Sequence, residues 1–338
     1  MNEKGYSIII GLALSPVVMA ASRSYMIMNE FFEKSKHYSW KLGIYNTAWW
    51  IGFYCYPLNN CSFWGKRKIT KWMDSYISKN KLVSPTILQS AVSTSADIYH
   101  IWVFWWQGED SMPELVKGCY SQLCSNNSNV VLITKNNIKQ YCHIPDFIYD
   151  KVEKGDISFT HLSDIARVSL LAEHGGMWVD ATCWISSAIP DWIKGLNLVS
   201  PKITNAPLSR GWNCSRWHCW CMGTNMKNNP LFVFTRDVFY KFFERNSCFP
   251  FYLFQDYLYD YAYRKMPQIR QMIESVPDNN IRWDKLHFTL NKPWSQEEYE
   301  LMTKDNWVFK LSYKTIWKER YNGQPTFYAK LMKDKTAK

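Results

Sequence analysis

The stretch from Ser158 to Ser186 constrains the fold more than any other part of the chain. Ser158 offers a side-chain oxygen that can cap a helix, and apolar residues follow at helical spacing from Leu162 to Ala172. The pair Gly175-Gly176 then supplies the left-handed backbone at which helices commonly end. The stretch therefore predicts a helix followed by a tight turn.

A short strand is predicted directly after that turn. Met177 to Val179 are apolar, and the next residue, Asp180, places a carboxylate where a buried strand opens into a loop. In open α/β sheets, ligands bind at this end of the strands. Asp164 and Arg167 are three residues apart, so they share one face of the preceding helix. Two carboxylates and a guanidinium are therefore expected to converge.

Such a group of charges suits a nucleotide-sugar donor. The diphosphate of the donor needs a metal ion or basic side chains, its ribose or a bound metal needs a carboxylate, and its sugar hydroxyls need polar partners. An Asp-Arg pair on a helix and a Gly-Gly turn are each common structural features. Their combination, order and spacing carry the prediction.

The residues from Ser163 to Thr182 also resemble a known family. Their order is Ser-Asp-x-x-Arg, Gly-Gly, an aromatic residue and Asp-x-Thr. This pattern resembles the sugar transferases that include capsular polysaccharide synthesis proteins, mannosyltransferases of the glycosyltransferase 32 type and glucosylating toxins. We expect the capsular polysaccharide branch. The resemblance extends roughly from Ile98 to Tyr328, and it implies a fold of the GT-A type.

The resemblance implies roles for the acidic residues and the arginine. Asp164 and Arg167 would contact the donor sugar and phosphate, and Asp180 would bind the ribose or a metal. Asp256, on a segment with helical spacing, is the candidate for a further active-site carboxylate, although a hydrated helix face explains it equally well. Retention of the anomeric configuration is implied by the family alone.

Further donor-binding residues follow from the same resemblance. Trp106, Gln107 and Gly108 end a strand in a pattern that resembles the segment lining the nucleotide base. The stretch from Val308 to Lys314 alternates like a strand and contains two lysines that could bind the leaving diphosphate. The complete set of predicted donor-binding residues is Trp106, Gln107, Gly108, Gly175, Gly176, Asp180, Lys310 and Lys314.

The predicted metal is Mn²⁺ or Mg²⁺, with Asp180 as its ligand. The acidic pair of the family is commonly Asp-x-Asp, whereas this chain has Thr182 in the second position. A second direct carboxylate ligand is therefore missing, and donor phosphates and water would have to complete the shell. Cys214, His218, Cys219 and Cys221 are a weaker candidate for Zn²⁺, because they lack two C-x-x-C pairs.

The order of elements predicts the fold class. Ile98 to Trp106 reads as a strand buried on both faces, a helix follows from about Pro113 to Cys124, and Val130 to Thr134 reads as a second strand. This alternation predicts an α/β fold with an open, mostly parallel, doubly wound sheet of the GT-A type. We divide the chain into an N-terminal helical region, residues 1–95, and a transferase domain, residues 96–330.

The N-terminal region leaves three alternatives open. No charged residue lies between Gly5 and Ser22, and Gly11, Ser15 and Pro16 interrupt the apolar blocks. A packed helix, a cleaved signal and a membrane segment each fit this pattern. Aromatic residues then alternate with lysines between residues 26 and 90, which fits either a helical subdomain or a surface that binds anionic lipid.

Composition limits the partners. The chain has 338 residues, with 40 Lys and Arg, 29 Asp and Glu and a net charge of +11, so anionic partners are favoured. Aromatic residues make up 17% of the chain, and the overall composition is typical of a folded protein. A basic recognition helix and a ribonucleoprotein-type aromatic motif are both absent, so nucleic acid is not the expected partner. The ten scattered cysteines suit reduced thiols.

We therefore predict a glycosyltransferase that moves a sugar from a nucleotide donor, most simply UDP-linked, to a glycan or lipid-linked acceptor in capsule synthesis. The expected location is the cytoplasm, at or near the inner face of the membrane. Two alternatives stay open. One is a catalytically silent assembly protein associated with the membrane, suggested by Thr182, and the other is an anion-binding module, suggested by the net charge.

Overall fold

The computed structural model describes residues 16–83, 94–204 and 211–333. Helices dominate its first part, which contains α1 (Pro16–His37), α2 (Trp40–Tyr54) and α3 (Asn59–Lys79). The elements up to the central strand are β1 (Thr94–Ser95), β2 (Ile101–Phe104), α4 (Glu114–Asn126), β3 (Val130–Ile133), α5 (Ile138–Tyr141), α6 (Asp146–Glu153), α7 (Phe159–Glu173) and β4 (Gly176–Val179).

The second half alternates short strands with helices. Its elements are β5 (Cys183–Ile185), α8 (Asp191–Lys194), β6 (Cys221–Thr224), β7 (Met226–Lys227), α9 (Pro230–Arg245), α10 (Phe254–Lys265), α11 (Pro267–Glu274), α12 (Lys285–Thr289), α13 (Gln296–Thr303), β8 (Val308–Lys310), β9 (Arg320–Tyr321) and β10 (Gln324–Pro325). The predicted mixed α/β class is confirmed by this arrangement.

The main sheet has four strands in the order β3-β2-β4-β6. β2 pairs in parallel with both β3 and β4, and β6 runs antiparallel to β4. The chain passes from β2 to β3 on one side and returns to place β4 on the other side of β2. The direction of strand addition therefore reverses at β2, and open α/β sheets bind ligands beyond the carboxyl ends of the strands at such a point.

Helices cover both faces of this sheet because its strands are apolar on both sides. Ile101, Val103 and Met177 belong to a hydrophobic cluster with Leu123 of α4. Trp102 and Trp178 instead belong to the main cluster, together with Leu162 and other residues of α7. The alternation of side chains along β2 and β4 thus assigns α4 to one face and α7 to the other.

A second small sheet completes the carboxyl end. β5 and β8 are antiparallel, with Cys183 opposite Lys310. The Leu311 amide also donates to the Thr182 carbonyl at 3.0 Å. The strand predicted over residues 308–314 ends at Lys310, because the Lys314 amide turns back to the Ser312 hydroxyl at 3.2 Å. These contacts place Lys310 beside the loop that follows β4.

The N-terminal helices pack directly on the rest of the protein. Trp49, Ile69 and Met73 lie in the same hydrophobic cluster as the core residues of α7, α9 and α10. Arg264 of α10 pairs with Asp74 of α3 at 2.9 Å. The boundary predicted near residue 95 adjoins residues 84–93, which lie outside the described ranges.

The uncharged segment from Gly5 to Ser22 lies mostly outside the described residues, which begin at Pro16 with α1. Within the described ranges, no helix combines the length and the apolar composition that a bilayer crossing requires. The strand predicted from Ile98 to Trp106 is shorter than expected, Ile101–Phe104, because Ile98 and Trp106 fall in a bend and a turn.

Candidate functional site

Asp180 follows the last residue of β4, at the carboxyl end of the parallel strands. Its amide donates to the Trp220 carbonyl at 2.8 Å, and its carbonyl accepts from the Cys183 amide at 2.8 Å. These bonds hold a tight turn between β4 and β5. The carboxylate therefore extends from a rigid segment rather than from a long loop.

Arg167 joins the two predicted carboxylates. Its Nη1 lies 2.7 Å from Asp164 Oδ1, and its Nη2 lies 3.3 Å from Asp180 Oδ1. Nη1 also donates to Gln255 Oε1 at 2.5 Å, and the guanidinium stacks over the Trp178 ring. Only 4% of this arginine is exposed. The structure thus brings the three side chains together, with the guanidinium held between two acids.

Lys310 binds the other oxygen of Asp180. Its Nζ lies 2.5 Å from Oδ2, while the Trp178 indole donates to Oδ1 at 2.8 Å. Burial by itself would raise the pKa of Asp180, but Lys310 and Arg167 outweigh burial, so the pKa is lowered. Burial likewise acts to lower the pKa of Lys310, and the charge of Asp180 reverses that effect. Both groups are therefore charged at neutral pH.

Asp164 has a different electrostatic environment. Burial raises its pKa to about 6, and the opposing effect of Arg167 is too small to cancel it. The negative charges of Asp180 and Asp256 add to the increase. Asp164 therefore changes its charge close to neutral pH, whereas Asp180 stays ionised.

Asp256 lies on α10, one residue after the Gln255 that contacts Arg167. Its Oδ1 accepts from the Trp217 indole at 2.9 Å and from the Cys219 thiol at 3.4 Å. Burial raises its pKa. The segment around Trp217 thus positions this third acid at the edge of the site.

The three residues Trp106, Gln107 and Gly108 follow β2 at the same end of the sheet. Trp106 is half-buried and lies near the rings of Tyr149 and Phe159, with centroids 6.4 and 5.9 Å away. Gln107 is exposed, and Gly108 has a φ of 88°. The ring of Trp106 therefore lies just beyond the carboxyl end of β2, with one part of its surface in solvent.

Gly175 and Gly176 lie at the opposite end of β4 from Asp180. Their φ values are 70° and 87°, in the left-handed region that favours glycine. A Cβ on Gly176 would overlap the His100 carbonyl oxygen, and one on Gly175 would lie 2.9 Å from the Met226 carbonyl oxygen. Tight packing at the amino end of the sheet accounts for both glycines, and the length of β4 separates them from the carboxylates.

Sequence reasoning missed several contacts of the site. Gln255 contacts Arg167 from a helix 88 residues further along the chain. Trp105, rather than Trp106, lies edge to face with Tyr313, at 5.8 Å, near the lysine-containing segment. Lys314 is partly buried there, and burial lowers its pKa. A polar residue beside Asp256 and a second tryptophan beside Trp106 were the only local clues.

The described residues do not fit a divalent cation well. Both oxygens of Asp180 are engaged by cations and an indole, and Thr182 supplies no carboxylate. Across residues 16–83, 94–204 and 211–333, no three His, Cys, Asp or Glu side chains form a group able to hold a metal. The alternative zinc cluster is not assembled either, since Cys219 donates to Asp256 and, among the described residues, Cys214, His218, Cys219 and Cys221 do not form a group able to hold a metal.

Comparison with known families gives one match. A family model described as capsular polysaccharide synthesis protein matches residues 62–331, about four fifths of the chain. The matched range contains the helix α7, the strand β4 and the segment around Lys310. No curated protein sequence matches the chain.

Proposed function

The chain belongs to the capsular polysaccharide synthesis protein family, and from this membership we propose that it is a glycosyltransferase of the GT-A type. The observation that carries the proposal is the Arg167 bridge between Asp164 and Asp180 at the carboxyl end of β4. The reversal of strand order at β2 supports it, because open α/β sheets bind ligands at such a point. The family itself is described by a broader role, capsular polysaccharide synthesis.

The proposed reaction transfers the sugar of a UDP-linked donor to a glycan or lipid-linked acceptor. The bond between the anomeric carbon and the diphosphate oxygen breaks, and the acceptor hydroxyl forms a new bond to that carbon and loses its proton. Negative charge develops on the departing oxygen, and fixed positive groups lower the energy of that step. Lys310 and Arg167 are the cations nearest to Asp180. We assign compensation of the diphosphate charge to Lys310, with Lys314 as a second contact.

We assign a different role to Arg167 than to Lys310, because the Arg167 side chain is almost completely buried. Its guanidinium keeps Asp164 and Asp180 in fixed positions, so it is a positioning residue. Asp164, with its raised pKa, accepts hydrogen bonds from the donor sugar when it is ionised. Trp106 stacks on the base at the carboxyl end of β2. Asp256 borders the sugar from α10.

No step of this mechanism passes through a metal, because both carboxylate oxygens of Asp180 are already engaged by Lys310 and Arg167.

The retained configuration that the family resemblance implies is a separate proposal. The coupling constant of the anomeric proton in the NMR spectrum of the product tests this proposal. A retained product has the anomeric configuration of the donor, and an inverted product has the other configuration.

Donor hydrolysis and thermal shift test the transferase proposal. Wild type and Asp180→Asn are compared against a panel of UDP- and GDP-sugars, with and without Mn²⁺. One donor should raise the melting temperature of wild type and be hydrolysed slowly, because a ligand that binds only the folded state stabilises it. Asp180→Asn should hydrolyse that donor at least about 100-fold more slowly, because Asp180 holds Lys310 in place for the leaving diphosphate and is the proposed partner of the ribose.

Asp191→Asn is the matched control, because Asp191 also pairs with a lysine but lies on the surface. It should behave like wild type. If no donor shifts the melting temperature of wild type and none is hydrolysed, the transferase proposal fails. A catalytically silent role in polysaccharide assembly then replaces it.

We also propose that the protein works beside the inner face of an anionic membrane. On α1, Tyr25, Met28 and Phe32 are exposed at helical spacing, and Lys36 continues the same face. Exposed rings with adjacent lysines suit the headgroup region of anionic lipid. Co-flotation with vesicles of phosphatidylglycerol, but not of phosphatidylcholine alone, would support this location, and equal recovery with both would oppose it.

A further inference from the structure

Four aromatic side chains form a continuous surface between the N-terminal helices and the acidic site. The rings of Trp50 and Tyr54 on α2 are stacked, with centroids 5.4 Å apart and planes 9° from parallel. Phe53 lies 5.9 Å from Trp50, and Tyr252, which precedes α10, lies 6.2 Å from Trp50. We call these four residues the aromatic wall.

The wall adjoins Asp164 through the first turns of α7. Tyr252 lies 6.0 Å from the ring of His161, which is three residues before Asp164 and shares its face of the helix. Three residues after Tyr252, Gln255 contacts Arg167.

The wall combines exposed rings with an unused hydrogen-bond donor. Tyr252 is 48% exposed and Phe53 is 40% exposed, although both adjoin a charged site. Trp50 is only 8% exposed, and its indole N–H has no hydrogen-bond partner. A buried donor without a partner costs stability. Exposed rings that border a charged site, with an unpartnered polar group beneath them, are features of a site that binds a ligand with apolar faces.

The wall is separate from the proposed base site. Phe159, at the start of α7, packs near Trp106, whereas His161 packs near Tyr252. Two aromatic surfaces therefore flank Asp164, one on the side of β2 and one on the side of α2. The family match begins at residue 62, after α2 has ended at Tyr54. Three of the four wall residues thus come from a segment outside the matched range.

We propose that the aromatic wall binds the acceptor saccharide, an inference that rests on the proposed transferase function. A sugar ring presents C–H groups on its faces and hydroxyls at its edge. The C–H groups pack on the exposed rings of Tyr252 and Phe53, and the hydroxyls at the edge of the sugar stay free to bind polar groups of the adjoining acidic site. With the donor sugar held at Asp164, an acceptor on this wall lies beside the reacting carbon.

The test separates acceptor use from donor use. Tyr252→Ala and Tyr54→Ala are compared with Tyr321→Ala, because Tyr321 is 47% exposed but lies on a distant hairpin. Methyl glycosides and short oligosaccharides of common hexoses serve as acceptor probes. Tyr252→Ala should raise the KM for the acceptor at least about 10-fold and leave donor hydrolysis within about twofold of wild type. Tyr321→Ala should change neither quantity.

A second measurement does not depend on the donor. Saturation-transfer difference NMR with the same saccharides should give signals with wild type and Tyr321→Ala, and weaker signals with Tyr252→Ala. If donor hydrolysis is absent but these signals depend on Tyr252, the transferase proposal fails and the saccharide site stands. If hydrolysis occurs but saccharide signals and the KM for the acceptor are unchanged in Tyr252→Ala, the wall is not the acceptor site. Equal loss of hydrolysis and transfer would also overturn the inference.

Discussion

Asp164 and Asp180 share one guanidinium, but only Asp180 has a second cation of its own. This difference separates their protonation. Lys310 and Arg167 outweigh burial at Asp180, whereas burial prevails at Asp164. One acid of the pair is therefore ionised at every physiological pH, and the other titrates at about 6. Predictions at the residue scale follow from this asymmetry.

The pKa of Asp164 predicts a pH dependence of stability. Its folded-state pKa is above the value of 3.8 for a free aspartate, so the folded protein keeps a proton that the unfolded chain has lost. This contribution to the free energy of unfolding is fully present below pH 3.8 and is lost as pH rises through about 6. Urea unfolding of wild type and Asp164→Asn at several pH values measures it.

Asp164→Asn has no carboxyl group at this position, so its free energy of unfolding should not fall for this reason. The difference between the variant and wild type should therefore shift in favour of the variant between pH 4 and pH 7. The lowered pKa of Asp180 predicts the opposite direction for Asp180→Asn, because stability from Asp180 is present at high pH and is lost on acidification. Parallel stability curves for wild type and Asp164→Asn would contradict the assignment.

Lys310 allows a test of the metal-free mechanism. Lys310→Met should slow donor hydrolysis about 100-fold, because it removes the charge that compensates the leaving diphosphate. Chelation with EDTA should leave the wild-type rate unchanged. Lys194→Met is the control, since Lys194 makes a comparable 2.7 Å pair with Asp191 on the surface. Loss of wild-type activity in EDTA and its return with Mn²⁺ would show that a cation is required.

At the scale of elements, the turn before β4 determines where Asp180 lies. Ser158 caps α7 by accepting from the His161 amide, and the helix ends at Glu173. Two successive glycines then turn the chain into β4, close against the His100 backbone. The strand can lie next to β2 only if position 176 lacks a Cβ, whereas a Cβ at position 175 would meet the Met226 carbonyl oxygen. Gly176 is therefore required by the packing of the sheet rather than by contact with a ligand.

Gly176→Ala should destabilise the protein by roughly 3 kcal/mol or more, since it adds a backbone overlap to the cost of a positive φ. Gly155→Ala is the matched control. Gly155 has a φ of 79° with nothing within 4 Å of the added Cβ, so it should cost only about 1–2 kcal/mol. Urea unfolding of both variants measures the difference. Equal losses would mean that the overlap relaxes at little cost.

At the scale of the whole molecule, the N-terminal helices and the α/β part share one hydrophobic cluster. Polar contacts reinforce the junction. Asp74 on α3 binds Arg264 of α10 and accepts from the Tyr257 hydroxyl at 2.7 Å. Arg264 also binds Asp260, which in turn binds Arg216. This chain of charges connects α3 to the segment that holds Asp256.

Asp74→Ala should lower the melting temperature of a single unfolding transition. The substitution leaves the buried Tyr257 hydroxyl and one side of Arg264 without a partner, which costs about 1–3 kcal/mol. For a chain of this size that corresponds to a decrease of about 1–4 °C. Asp97→Ala, which removes an exposed ion pair with Lys227, should change little. Two resolved transitions in calorimetry would show that the helical region unfolds independently.

The local elements around the site could be predicted from the sequence. The apolar spacing after Ser158, the Gly175-Gly176 stop and the apolar run before Asp180 predicted α7, the turn and β4, and the structure confirms all three. The family resemblance is confirmed by the match over residues 62–331. The subfamily, the donor and the roles of the site residues stay predictions.

Contacts between distant segments could not be predicted in the same way. Lys310 reaches Asp180 across 130 residues and Gln255 reaches Arg167 across 88, and neither approach has a periodicity in the sequence. The placement of Gly175 and Gly176 at the far end of β4 also required the strand pairing. Tyr252 became a candidate only when its distance to α2 was known.

The sequence by itself determined the mixed α/β class, the helix that carries Asp164 and Arg167 and the strand that ends at Asp180. These features depend on side-chain spacing, caps and glycine conformation within a few residues. Only the tertiary structure decided which cations neutralise Asp180, that Asp164 is left with a raised pKa, and that α2 supplies an aromatic wall. Those properties depend on burial and on charges brought together by long-range packing, which local sequence does not encode.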